Sequence, residues 1–318
     1  MSAYPILMGN AGLGIWISLT IIGAGLVWLL VRTIAGKEVD RRLIFLFIFV
    51  SAGAPVIFPI TFQEKISPTV KGAFDAVEAL PPGSHVMISY DFDPAMAPET
   101  QPMGNAFTRH CLARGLKVIF ITLWGTGPSM LQQTIDGIVR KEFPDKKEDT
   151  DWVNLGYKAG NEGVLNVIVT NLKKMYPTDV NSHPLDSIPC LKGIKSCKDV
   201  DLILAIGGGQ PGPKEWVLYV GDPGNVKIGA GLAAVTTPQS YPYYPKQMLG
   251  LVGGIKGAAE YEFELCRLYP RFGESTDPSM RTALLAMGPQ TIAHVVIMIF
   301  IVFGNIAYLK TRKRGKRS

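Results

Sequence analysis

Histidine and cysteine are both scarce, at four residues each among 318. Four cysteines (Cys111, Cys190, Cys197, Cys266) are too few for a disulfide framework, and no Cys-x-x-Cys pair or Cys/His cluster has the spacing of a structural zinc site. Cys190 and Cys197, seven apart in CLKGIKSC, leave two options open: buried thiols or one local bridge. The histidines (His85, His110, His183, His294) are scattered, and G-x-S-x-G is absent. A triad assembles from distant residues, so these absences lower the case for hydrolase chemistry without excluding it.

Charge is missing from three long stretches, residues 12–31, 43–62 and 289–309. A bilayer core of about 30 Å needs about 20 apolar residues in a helix, so each is expected to span a membrane. The first has no basic residue before it and too long an apolar run for a signal peptide. Basic residues gather in the loop between the first two stretches (Arg32, Lys37, Arg41, Arg42) and in the tail (Lys310, Arg312, Lys313, Arg314, Lys316, Arg317). By the positive-inside rule both are cytoplasmic, which puts the N-terminus and the intervening domain outside, at the plasma membrane.

Those two segments hold ten of the 32 Lys and Arg and two of the 26 Asp and Glu, leaving 22 basic and 24 acidic residues elsewhere. The domain therefore offers no positive field for nucleic acid. Membrane lipids are the expected partners of the flanks, and a second copy or another membrane subunit the expected protein partner.

The expected organisation is a two-helix hairpin over residues 1–62, an extracytoplasmic α/β domain over 63–288, and a third span with its tail over 289–318. Within the domain, short apolar runs at 85–92, 117–124, 152–157, 201–206 and 226–237 read as strands. They alternate with helical patterns at 101–114, 129–143, 162–175, 214–220 and 245–268. A further helix is expected over 63–80, and 270–288 reads as a linker. This alternation predicts a mostly parallel, doubly wound, Rossmann-like sheet with helices on both faces.

Open α/β sheets bind ligands outside the carboxyl ends of their strands. The residues there supply the ligand-binding candidates: Asp91 and Asp93, Thr126, Lys158, Gly208, Gly209, Gln210, Thr237, Tyr241 and Tyr244. The loop GGGQPGPK has the P-loop spacing between Gly207 and Gly212, but Pro213 stands where the lysine belongs. Pro211 and Pro213 also lack the N–H groups of a phosphate cradle, so the loop reads as a tight strand-to-helix turn. Asp91-x-Asp93 offers carboxylates to a divalent cation. It is similar to the Asp-x-Asp of haloacid-dehalogenase phosphatases, although Pro94 and Ala95 do not extend the likeness.

Gly250, Gly253, Gly254 and Gly257, placed in the expected last helix, call for close backbone packing within the domain or between subunits. His294 and Asn305 sit on one face of the third span and are expected to pack against the other spans or a partner. The function expected from these features is a membrane-anchored binding or assembly subunit that self-associates and needs no cofactor. The alternative is a membrane-anchored hydrolase or transferase using a divalent cation at Asp91 and Asp93.

Overall fold

The computed structural model describes residues 12–35, 40–57, 61, 64–275 and 277–315. Lys37, Lys316 and Arg317 of the basic flanks, and four residues of the second apolar stretch, lie outside the described residues. The chain divides into two units, residues 64–269 and residues 1–63 with 270–318.

In chain order the first helices are α1 (Gly12–Ile34), α2 (Arg41–Ile57), α3 (Pro68–Glu78), α4 (Ala97–Ala113), α5 (Gly127–Thr134) and α6 (Glu162–Ile168). The strands are β1 (His85–Asp91), β2 (Lys117–Thr122), β3 (Trp152–Tyr157), β4 (Leu202–Gly207), β5 (Ile228–Leu232) and β6 (Met248–Gly253). All six form one parallel sheet in the order β3-β2-β1-β4-β5-β6. β4 and β5 are buried along their whole length, and β1 and β2 along all but the first residue. Strands covered on both faces read as continuous apolar runs, which is why KVIFIT and LILAIG signal so clearly. The chain adds β2 and β3 on one side of β1, then crosses back to add β4, β5 and β6 on the other. β1 and β4 therefore flank the point where the winding reverses.

The sheet has one more strand than the sequence signals, because residues 248–253 are β6 and the last helix of the domain begins only at Gly254 (Gly254–Leu268). Its glycines serve the approach of α3 to that strand. A Cβ on Gly250 would lie 1.9 Å from the Ala73 nitrogen, and one on Gly72 would lie 2.2 Å from the Leu249 carbonyl oxygen. Gly254 takes φ +59° where the strand turns into the helix, a left-handed conformation that glycine adopts without strain. Gly253 packs on Thr237 and Gly257 on the backbone of Val252, so all four close approaches lie inside the domain.

Three other helices depart from their patterns. The 214–220 helix is the turn Pro213–Trp216 followed by a π-helical turn, Val217–Gly221. The 129–143 helix becomes a π-helical turn from Ile135 to Arg140, and the 162–175 helix breaks into α6 and a single turn, Leu172–Met175. Cys190 and Cys197 are free, buried thiols and not a bridge. Burial pushes the Cys190 thiol up to about 12, which keeps it protonated and inert.

Two polar ties cross the core. Arg109 on α4 donates two hydrogen bonds to Glu142, at 2.9 and 2.7 Å, with both side chains at least 96 % buried. His110, also on α4, bonds the Tyr261 hydroxyl through Nδ1 at 2.6 Å and Glu78 through Nε2 at 2.8 Å. Tyr269 donates to the same Glu78 oxygen. The His110 bond, opposed by partial burial and aided by Tyr269, holds the Glu78 carboxyl down at about 2. A carboxyl depressed below its unfolded value stabilises the fold above that value and loses the contribution as pH falls. Melting curves are therefore expected to show a loss of stability from about pH 4.5 toward 2 that Glu78→Gln removes; an unchanged acid slope in the variant would contradict this role.

In the other unit α1, α2 and the C-terminal helix Thr282–Gly315 pack around Ile22, Ile292 and Val296, with Phe47 edge-on to Phe300 at 5.8 Å. Among the described residues one helix, Pro278–Ile306, is long and apolar enough to cross a membrane. This replaces the expectation of three spans. The described apolar part of α1 is the shorter Thr20–Arg32, and α2 has 17 residues, about 26 Å at 1.5 Å each. The C-terminal helix itself starts at Thr282, inside the stretch expected as linker, and runs through Pro289. His294 and Asn305 do not face the neighbouring helices. Both are exposed, and the Asn305 amide donates to the Ile301 carbonyl of its own helix at 2.9 Å.

Candidate functional site: a cleft after β4 and β5

The carboxyl ends of β1 and β4 meet where Asp91 pairs with Gly207. Asp91 is fully buried, and its carboxylate accepts three hydrogen bonds. Ser89 Oγ donates at 2.6 Å, the Leu123 N–H at 2.8 Å and the Trp216 indole N–H at 2.8 Å. Burial pushes the carboxyl up to about 6 against the pull of these three donors. The side chain thus ties β1 to the end of β2 and to the helical turn Pro213–Trp216 that follows β4. Asp93 turns elsewhere, accepting the N–H groups of Ala95 and Met96 through Oδ1 and so ordering the approach to α4. The two carboxylates thus accept bonds from separate parts of the fold.

At the crevice between β1 and β4, Met96 and Trp124 pack on the glycine loop. None of Gly207, Gly208 and Gly209 has a positive φ, so the turn does not demand glycine for its backbone. Close neighbours do. A Cβ on Gly208 would lie 2.8 Å from Met96 Sδ, and one on Gly209 would lie 2.6 Å from the Trp124 ring. The Trp124 indole also donates to the Pro211 carbonyl at 2.7 Å, pinning the loop.

A cleft opens one strand over, between the ends of β4 and β5. The cleft, of about 290 Å³, is lined by the loop from Gly207 to Gln210, by Lys214 and Glu215, and on the far wall by Thr236 and Gln239. Its size is near the lower end of small-molecule sites. Glu215 accepts the Gly212 N–H at 2.9 Å and is buried, so its carboxylate is committed to holding the loop. Glu99 of α4 accepts the Ala234 N–H at 2.7 Å and fixes the opposite rim. Among the described residues Lys214 is the one basic side chain of the lining, beside the amides of Gln210 and Gln239 and the hydroxyls of Thr236 and Ser240. No histidine or cysteine lines the cleft. Such a wall can orient a polar ligand and meet one negative charge.

No family model matches the chain, and neither does any curated protein or solved structure.

Of the sequence candidates, Gly208, Gly209 and Gln210 come together in the cleft. Thr237 lies behind it, its hydroxyl donating to the Ala233 carbonyl at 2.9 Å, and the neighbouring Thr236 takes the lining position. Thr126 is exposed after β2 and its hydroxyl reaches toward the Phe92 carbonyl at 3.4 Å. Lys158 sits over the Tyr176 ring at the β3 end of the sheet. Tyr244 packs on the core and donates to the Pro68 carbonyl, whereas Tyr241 is exposed. Lys214 is the residue that motif reasoning set aside. The signal for it was the order Gly212, Pro213, Lys214, Glu215, in which proline opens a helical turn and glutamate reaches back to cap it.

Proposed function

We propose that the chain is a membrane-anchored binding subunit whose extracytoplasmic α/β domain holds a small polar ligand bearing one negative charge. The cleft after β4 and β5, with Lys214 against two amides and two hydroxyls, carries this reading. Orientation rests on the basic tail, which the positive-inside rule places in the cytoplasm, so the domain at the other end of the C-terminal helix lies outside. Exposed Trp16, Phe45, Phe49 and Ile301 on the helices of the membrane unit suit contact with lipid and support α1 and α2 as further membrane-embedded elements. His294 and Asn305, exposed on the same unit, are costly against lipid and favour a second copy or another membrane subunit beside that face. The hydrolase alternative loses ground because Asp91 has no free oxygen facing the cleft and Asp93 caps a turn.

Thermal melting of the detergent-solubilised full chain tests the cleft with inorganic phosphate, sugar acids and nucleotides as probes. A ligand at about 100 times its Kd adds roughly 2.7 kcal/mol to stability. At least one probe is expected to raise the melting temperature, and Lys214→Ala to weaken its binding about tenfold or more, as loss of a charged hydrogen bond implies. No shift with any probe, or one indifferent to Lys214→Ala, would contradict the assignment.

A further inference from the structure

Away from the cleft, at the β3 edge of the sheet, a second cluster of polar side chains has no role in the reading above. Asp149 lies in the turn before β3, and Asp179 and His183 lie in the proline-rich segment that folds back beside that strand. The segment is held as a small ribbon. Val180 donates its N–H to the Asn154 carbonyl at 3.1 Å, and Thr178 bridges Pro184 in antiparallel fashion. The Asp179 N–H bonds the His183 carbonyl at 3.0 Å, and the His183 N–H bonds Asp179 Oδ1 at 2.7 Å. On the other side Asp149 is fixed by its own backbone, its N–H to the Trp152 carbonyl and its carbonyl to the Cys190 N–H. Both halves of the cluster are therefore preorganised by main-chain bonds.

His183 Nδ1 stands 2.9 Å from Asp149 Oδ2 and 3.3 Å from Asp179 Oδ2. One imidazole nitrogen carries at most one proton and donates one hydrogen bond, so it serves only one of two carboxylates at a time. The Asp179 side chain is 1 % exposed, and Asp149 Oδ1 is buried without a hydrogen-bond partner. Two carboxylates share this half-buried space with too few donors, and the three groups offer ligand atoms that all lie within 4.8 Å of one another. Atoms bound to one tetrahedral metal at about 2.1 Å are roughly 3.4 Å apart, close to the two separations seen. Arg140, a basic side chain on the preceding helix, is turned to Asp136 and Glu148.

We propose that Asp149, Asp179 and His183 bind one first-row divalent cation of the zinc class. One imidazole nitrogen and two carboxylate oxygens hold it, and the remaining coordination is left to water on the side where His183 is half exposed. The cation joins the turn before β3 to the ribbon beside it and staples the segment that covers this edge of the sheet.

The test is a calorimetric titration of the chelator-treated, detergent-solubilised full chain with Zn2+ at pH 7.5. A His294→Ala background removes the other exposed imidazole. One equivalent is expected to bind saturably, with His183→Ala and Asp149→Asn each weakening it at least tenfold. Asparagine keeps the left-handed backbone that Asp149 adopts at φ +65°, so that variant removes the charge without straining the turn. Zinc is expected to raise the melting temperature of the parent and not of either variant, and binding is expected to weaken at pH 5.5, where protons compete for the ligands. Absence of a saturable equivalent, or unchanged affinity in both variants, would overturn the proposal.

Discussion

Asp91→Ala is expected to destabilise the α/β domain by about 3 kcal/mol without altering divalent-cation binding. The substitution leaves the Leu123 and Trp216 N–H groups buried with no acceptor, and each orphaned donor costs about 1–3 kcal/mol. For a domain of this size each kcal/mol is worth roughly 2–4 °C of melting temperature. Asp93→Ala loses only the bonds to two turn N–H groups, a capping loss of about 1 kcal/mol. A pH signature accompanies the first variant. The buried Asp91 carboxyl titrates near 6, against an ordinary 3.8. The folded state therefore holds its proton more tightly, and the group's contribution is present at low pH and lost as pH rises from about 4 through 6. That slope disappears in Asp91→Ala, so the deficit of the variant is larger at pH 4 than at pH 7. If Asp91 and Asp93 were cation ligands, both variants would instead abolish metal binding with little change in melting.

Glu142→Ala is expected to cost about 3–5 kcal/mol, because the Arg109 guanidinium keeps its position at 1 % exposure without its bidentate carboxylate. Lys141 and Phe143, its neighbours in sequence, give no hint of this, since a glutamate at the end of an amphipathic pattern reads as solvent-facing. The double variant Arg109→Met, Glu142→Leu tests the cause. Replacing both charges by apolar groups of similar volume is expected to recover most of the loss, as for other buried pairs. Melting curves of the single and double variants give the comparison, and equal losses in the two would show that packing volume, not the loss of the ion pair, sets the cost.

Five of the six strands, β1 to β5, were legible because each is a short apolar run bounded by turn residues, and their alternation with helices implies parallel pairing. β6 was not legible. MLGLVG combines a short apolar run with glycines that both a packed helix and a closely covered strand require, and periodicity over six residues cannot choose between them. The deciding fact is the contact of Gly250 with α3, about 180 residues earlier in the chain. The cleft was half legible. The rule that ligands sit beyond strand ends led to Gly208, Gly209 and Gln210, but it also led to Asp91. Nothing local distinguishes a carboxylate facing solvent from one turned inward to Trp216, 125 residues away.

The cluster of Asp149, Asp179 and His183 matches no spacing motif, because a ribbon folded back on β3 brings its parts together. In the unit of α1, α2 and the C-terminal helix, apolar composition was plain from sequence and helix length was not. Composition marks three stretches, while α2 stops at 17 helical residues among those described.

Cysteine labelling tests most directly whether the cleft belongs to an extracytoplasmic, membrane-anchored domain. Cys111, Cys190 and Cys197 are buried, so replacing the half-buried Cys266 by serine leaves no accessible thiol. Gln239→Cys then places a single reactive group on the cleft wall. Sealed right-side-out vesicles are treated with a membrane-impermeant maleimide before and after permeabilisation. Full labelling of the intact vesicles is the expected result. Labelling only after permeabilisation would place the cleft in the cytoplasm and contradict the proposed topology.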